Sequence, residues 1–378
     1  MLKFLHCADA HLDTPFSLAD LEKADIKRAM LRATFSSLLQ YVRTNNIHIV
    51  LLSGDLFSNA FVTHETAEAL SREFAATPTC HFIIAPGTHD FYTPSSVYAN
   101  TPFSGNVHIF KSDEVSRFSL CDLSGDGETV DIWGYACTSE NMQSTPLSTL
   151  PQTDPSHINL FCGYADIGED MPDMPRITKE QLAKCGFAYA ALGGKHNSDG
   201  IRRIGQTCFG YAGCLEGRTF DECGYKGAIY GELHKNEDGK RELTVRRLRF
   251  SRRHFEKETL DVTGCNTHTE ISVRITALLA EKKYDRDTAL HLTLTGKVAS
   301  TLFIQKDKLL SLLPPLYLFE ICDETVSDDP FYLLQNDPTL HGAFARELAP
   351  ILKSENEDDR ETAKRALQLG LQAMKKTR

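Results

Sequence analysis

Four short clusters in this chain carry side chains of the kind that hold divalent cations. They are Asp9-Ala10-His11, then Gly54-Asp55, then Gly87-Thr88-His89-Asp90, and finally Gly193-Gly194-Lys195-His196. Carboxylate oxygens and imidazole nitrogens suit a hard or borderline divalent cation, and two Asp with two His complete the shell of one such ion. Each cluster follows an apolar run bounded by a polar turn, the pattern of a buried strand. Asp9 and His11 lie two positions apart at a strand's C-terminal end, which puts both on one face. In a parallel sheet the C-terminal strand ends converge on one edge, where ligands bind. The pattern therefore predicts that Asp9, His11, Asp55, His89, Asp90 and His196 meet.

The elements that must position them alternate in type. After the first strand, residues 20–46 read as an amphipathic helix, with Leu31, Phe35, Leu38, Leu39 and Val42 at helical spacing. Residues 47–52 are an apolar strand. Thr63 can cap a helix reaching residue 74, and residues 80–85 are another buried strand. Strand and helix in alternation predict an α/β fold with a parallel sheet. From residue 107 to 135 short strand-like stretches flank a Gly125-Asp126-Gly127 turn, which predicts an antiparallel part of a second sheet. Further strands are predicted at 157–161, 187–192, 206–211, 227–233 and 243–250, with a short helix at 178–184. A domain boundary is placed at residue 255. Residues 256–336 read as a small α+β domain, and 337–378 as a helical tail whose last helix ends in Lys375, Lys376 and Arg378.

The totals narrow the class. The chain has 378 residues, 41% hydrophobic and 24% charged, an ordinary globular composition. The sequence has no apolar run long enough for a transmembrane helix and no leader pattern at its start. Eleven cysteines are scattered singly, which fits reduced thiols in a cytoplasmic setting better than a disulfide framework. A net charge of −10 argues against bulk attraction to nucleic acid, though not against a local basic groove.

The order D-x-H, G-D, G-x-H-D and G-x-x-H resembles the calcineurin-like metallophosphoesterases. Within them the chain looks like the SbcD/YhaO-type DNA-repair nuclease branch. The stretch from Tyr211 through Cys214, Glu216, Arg218, Asp221 and Glu222 to Lys226 and Gly227 is close to one found in its YhaO-like members. The resemblance implies a four-layer α/β/β/α sandwich with a smaller C-terminal α+β domain and helical tail. It implies a first metal on Asp9, His11, Asp55 and His196. It matches the family's catalytic His with His89, whose ring Asp90 can hold. The metal it implies is manganese, with zinc or iron(II) as alternatives. The activity it implies is hydrolysis of phosphodiester bonds in DNA by metal-activated water. The partner it implies is an SbcC-like ABC-type ATPase with a coiled coil, and a homodimer is a further expectation.

The second metal of that family would take Asp55 together with the positions held here by Thr88, Cys162 and Gly194. Gly194 supplies no ligand atom, Thr88 offers only a neutral hydroxyl, and a Cys162 thiolate prefers softer metals. The expectation is one ion, with Thr88 and Cys162 a weak second site and activity reduced. Two rival readings follow: a non-catalytic subunit of an SbcCD-like complex that keeps the fold for binding, and a single-metal phosphomonoesterase or nucleotide phosphodiesterase. Arg246, Arg247 and Arg249 form a basic cluster on a strand, read either as DNA contacts or as a solvated face. Arg218 could touch a phosphate or pair with Asp221 or Glu222. Asp13 could serve the metal loop or only shape a turn.

Overall fold

The computed structural model describes the chain except residues 17–20, 59–61, 145, 169–173, 300, 301, 303, 328–336 and 376–378. The expected helix start at Asp20, the end of the small α+β domain, and Lys376 and Arg378 fall outside the described residues. The chain divides into two compact units, Met1–His254 and Phe255–Arg378.

In the first unit β1 (Leu2–Cys7), β2 (Ile49–Ser53), β3 (His81–Ala85) and β4 (Val107–Ile109) run parallel. On the other side of β1 lies β11 (Gly227–Lys235), antiparallel to it, and then β12 (Arg241–Arg249) at the edge. The six form one sheet in the order β12-β11-β1-β2-β3-β4. The second sheet holds β5 (Ser116–Cys121), β6 (Thr129–Gly134), β7 (Ile158–Tyr164), β8 (Tyr189–Gly193), β9 (Ile201–Ile204) and β10 (Thr207–Tyr211). Its order is β5-β6-β7-β8-β10-β9, with β6, β7, β8 and β10 parallel.

The sheets pack face to face. Leu2, Phe4, Leu51 and Ile83 of the first meet Ile132, Leu160 and Ala191 of the second. The outer face of the first sheet, with Leu5, Val50, Leu52 and Phe82, is covered by α1 (Leu21–Thr44) and α2 (His64–Ala75). The outer face of the second, with Phe161, Leu192 and Phe209, packs on Leu182 of α4 (Lys179–Lys184), which follows the short α3 (Val97–Asn100). The layers are therefore helix, sheet, sheet, helix. Strands buried on both faces read as continuous apolar runs, which is why they stand out in the sequence. Thr63 caps α2 by accepting from the Thr66 N–H, and Thr178 with Gln181 forms a capping box at α4.

Three expectations need correction. Residues 107–135 are antiparallel only between β5 and β6; β4 joins the first sheet parallel to β3. The strand expected at 157–161 continues to Tyr164, because residues 162–164 stay paired with β8 and buried. Strand β9, Ile-Arg-Arg-Ile, was not expected, since its two central arginines hide the apolar ends.

In the second unit β13 (His254–Asp261), β14 (Thr288–Thr295) and β15 (Leu318–Asp323) form a three-stranded sheet. It packs on α5 (His268–Lys282) and α6 (Lys306–Ser311) through Ile271, Ile275, Leu290, Leu292 and Leu309. Helices Leu340–Leu352 and Glu357–Lys375 follow. Among the described residues no helix is long and apolar enough to cross a membrane.

Candidate metal centre

The site lies where β1, β2, β3 and β8 end. The loops after β1 and β2 run side by side: the N–H of Asp9 donates to the Gly54 carbonyl at 3.1 Å and that of His11 to the Asp55 carbonyl at 2.9 Å. The second sheet reaches this edge through Gly193, where a Cβ would stand 1.5 Å from the Ser53 carbonyl oxygen. Only glycine permits that approach. Beneath the site the buried His6 ring bonds the Ser53 hydroxyl at 2.8 Å and the Tyr189 hydroxyl at 2.9 Å, tying β1, β2 and β8 together. Burial pushes its pKa down to about 3, so the ring is neutral.

The structure brings the expected side chains together. Among the described residues, donor atoms of Asp9, His11 and His196 lie within 4.8 Å of one another, as do those of His11, Asp55 and His89. Asp9 accepts the Gly194 N–H on both oxygens, at 3.0 and 3.2 Å. Its pKa is pushed up to about 7 by burial, against the pull of His196 and with the repulsion of Asp55. His11 is held neutral by burial, its pKa down to about 3. Its Nε2 stands 3.2 Å from Nε2 of His196 and 3.8 Å from Asp55 Oδ2. Two nitrogens about 2.1 Å from one cation stand that far apart when the angle at the ion is about 100°, within the range of tetrahedral and octahedral shells. The donor set therefore fits a divalent cation.

Asp55 also takes the backbone N–H and the ring Nδ1 of His89, both at 2.9 Å. Burial opposes its ionisation, but the His89 hydrogen bonds and the nearby imidazoles outweigh that and hold it below the ordinary range. The same bond raises His89, whose side chain is 56% exposed. Asp90 does not hold the His89 ring. Its carboxylate accepts the N–H groups of Gly87 at 2.6 Å, Phe57 at 3.1 Å and Asp55 at 3.2 Å, and the Tyr98 hydroxyl. Those amides surround it, so Asp90 braces the Asp55 and His89 loops instead. Asp13 is a brace too, taking Arg32 at 2.8 Å and the Thr63 N–H and hydroxyl at 3.2 Å.

Residues 2–167 match the family described as Calcineurin-like phosphoesterase. These residues form a calcineurin-like phosphoesterase domain. The chain is similar to "Uncharacterized metallophosphoesterase YhaO" of Bacillus subtilis (strain 168), 27% identical over 285 residues. That match spans 71% of this chain and 65% of the relative, less than two thirds of its length. Among solved structures, TT1561 of Thermus thermophilus aligns over 64% of this chain and 98% of its own, with 11% identity and a TM-score of 0.36.

In this phosphoesterase domain the weak second site takes a different form from the one expected. Cys162 lies inside β7 with its side chain in the apolar layer between the sheets, and burial drives its thiol far above the ordinary range. It is a thiol there, not a thiolate ligand. Thr88 donates its hydroxyl to the Tyr164 hydroxyl at 3.1 Å. The Tyr164 ring lies against Gly54 and Gly194: Cβ atoms there would fall 2.2 Å from its Cδ2 and 3.0 Å from its Cζ. The Tyr164 ring beside Thr88 and the Met174 side chain, whose Cε would stand 2.1 Å from a Cβ at Gly194, thus fill that space, which corrects the expected pair Thr88 and Cys162.

The arginines separate. Arg218 pairs with Glu222, Nη2 to Oε1 at 2.5 Å. Arg246, Arg247 and Arg249 are exposed on the edge strand β12, two places from β1 in the sheet. Arg246 stands over the Tyr230 ring at 5.0 Å and Arg249 over Tyr225 at 3.6 Å. Reading the sequence named Glu222 only as a partner for Arg218, not for His196, and missed Tyr164 and His6. The chemistry-bearing segment from residue 211 to 227 was the one signal for Glu222; nothing local marked the other two.

Proposed function

We propose that this chain is a metal-dependent phosphodiesterase that works with one divalent cation, with DNA as substrate, after the manner of the SbcD/YhaO branch. The observation that carries the reading is the meeting of His11 Nε2 and His196 Nε2 at 3.2 Å beside the carboxylates of Asp9 and Asp55. Asp9, His11, Asp55 and His196 would hold the ion, with manganese the first choice and zinc or iron(II) the alternatives. A divalent cation there supplies Lewis acidity to water and to a phosphoryl oxygen. The chain's own residues do the rest. Asp55 holds Nδ1 of His89, which leaves the Nε2 proton of that exposed ring for the leaving oxygen. Such proton donation is worth about 10²–10⁴-fold. Asp90 keeps the loops of Asp55 and His89 in register. Arg246, Arg247 and Arg249 would contact phosphates through salt-sensitive pairs. A net charge of −10 leaves much of the DNA grip to a partner, for which this reading calls on an ABC-type ATPase with a coiled coil.

A second reading is favoured by one feature. The Tyr164 ring fills space beside Thr88 and Gly194, so a two-ion clamp on attacking and leaving oxygens has no room there. The chain would then be a non-catalytic subunit that keeps the fold for binding. Elemental analysis of protein purified without chelator, followed by assays with manganese or zinc, decides between the two. The first reading expects one ion per chain and cleavage of an aryl phosphodiester and of DNA, lost in His89→Asn. One ion with no cleavage supports the second. Cleavage of an aryl phosphomonoester alone makes the chain a phosphomonoesterase. No ion at all defeats the metal reading.

A further inference from the structure

We propose that Glu222 and Arg218 are positioning residues that lock the His196 ring so that its Nε2 faces the cation. This deepens the single-metal reading above and rests on it. His196 follows β8 on a loop, and its side chain is 32% exposed, so apolar packing alone does not fix the ring. What fixes it is polar. Its Nδ1 stands 2.8 Å from Glu222 Oε1, whose side chain is 5% exposed. Arg218 immobilises that carboxylate: its backbone N–H donates to Oε2 at 2.7 Å, its Nε reaches both oxygens at 3.2 Å, and its Nη2 reaches Oε1 at 2.5 Å.

The arrangement selects a tautomer. Arg218 Nη2 also lies 3.1 Å from His196 Nδ1, but a guanidinium only donates. Glu222 Oε1 is nearer to Nδ1, at 2.8 Å, and only accepts, so it favours the tautomer with the proton on Nδ1. That leaves Nε2 directed at His11 Nε2, where the cation's donors gather. The same segment grips the backbone of the loop. The Cys214 N–H donates to the His196 carbonyl at 3.0 Å, and Lys226 Nζ reaches that oxygen at 3.3 Å. Gly213 has φ +76°, and a Cβ there would come within 2.9 Å of the same oxygen. Residues 213–226 thus hold ring and main chain of His196 at once. A histidine that gives its second N–H to a carboxylate is fixed in orientation and made more basic, and losing that carboxylate commonly weakens metal binding about 10–100-fold.

The test compares the full chain with Glu222→Gln, Glu222→Asp and Arg218→Lys. Affinity for manganese and zinc is read by competition with a chromophoric chelator. The tautomer of His196 is read by ¹⁵N NMR of chelator-treated protein above the imidazole titration. Unfolding midpoints in chelator show that each variant is folded, and Glu222→Asp, which keeps the charge, stands in should Glu222→Gln fail to fold. The expected result is about 10–100-fold weaker binding in Glu222→Gln, a smaller loss in Arg218→Lys, and an Nδ1–H tautomer in the parent that becomes mixed in the Glu222 variants. Affinity that stays at the parent's level in a folded Glu222→Gln overturns the proposal while the metal reading stands. Affinity that falls with the tautomer unmoved overturns it as well. A parent that takes up neither ion defeats the metal reading itself, whatever the tautomer shows.

Discussion

Asp9, His11, Asp13 and Asp55 all sit in the left-handed backbone region, with φ of 47°, 44°, 63° and 51°. Side chains other than glycine adopt it rarely, at a cost of order 1–3 kcal/mol each where surroundings impose it. Here the imposing groups are visible: Asp90 on the amides of Gly87, Asp55 and Phe57, and the paired loops after β1 and β2. The crowding has a pH consequence. Asp9 keeps a proton up to about pH 7 and His196 is raised too, burial opposing its charge but Glu222 and Asp9 outweighing it. A cation must displace those protons, so its affinity is expected to rise with pH through the neutral range and to flatten above it. Calorimetry in buffers of differing ionisation enthalpy should report the released protons; uptake independent of pH would contradict this. His89→Asn is expected to lower phosphodiester turnover by about 10²–10⁴-fold with a smaller loss of cation affinity, since the ring bond also helps keep Asp55 ionised. The four ligand candidates were legible because they follow apolar strands in spaced motifs. Asp90 was misread because sequence cannot show that its carboxylate faces three amides rather than a ring.

At the scale of elements, the strands that deliver the site were readable as apolar runs, because two-sided burial leaves no polar alternation to confuse them. Strand β9 escaped because its arginines are exposed, and β4 was assigned to the wrong sheet because three residues carry no partner information. What no local pattern could supply is the distance between sheets. That distance is set where Gly193 touches the Ser53 carbonyl. Gly193→Ala is expected to push β8 from β2 and destabilise the unit by about 1–3 kcal/mol or more. Denaturant unfolding measures the loss, and cation affinity should fall with it, because Asp9 and Gly194 would separate. A variant as stable as the parent would mean that the sheets yield more easily than their packing suggests.

For the molecule as a whole, the division at His254 places every ligand candidate in one unit. A chain ending at His254 is expected to take up the same number of ions as the full chain, with any difference confined to DNA affinity; elemental analysis and a salt titration of DNA binding check both. On the DNA reading proposed above, Arg246→Ala with Arg247→Ala should weaken DNA binding uniformly across sequences and lower the slope of its salt dependence by about 1–2, the signature of lost phosphate pairs.

Tyr164 carries one more consequence, an optical one. Its buried ring lies against Gly54 and Gly194, next to the carboxylates of Asp55 and Asp9. Terbium exchanged into the centre should therefore glow green under excitation of tyrosine, and Tyr164→Phe should dim that luminescence without emptying the centre. The protein would thus report its own metal loading.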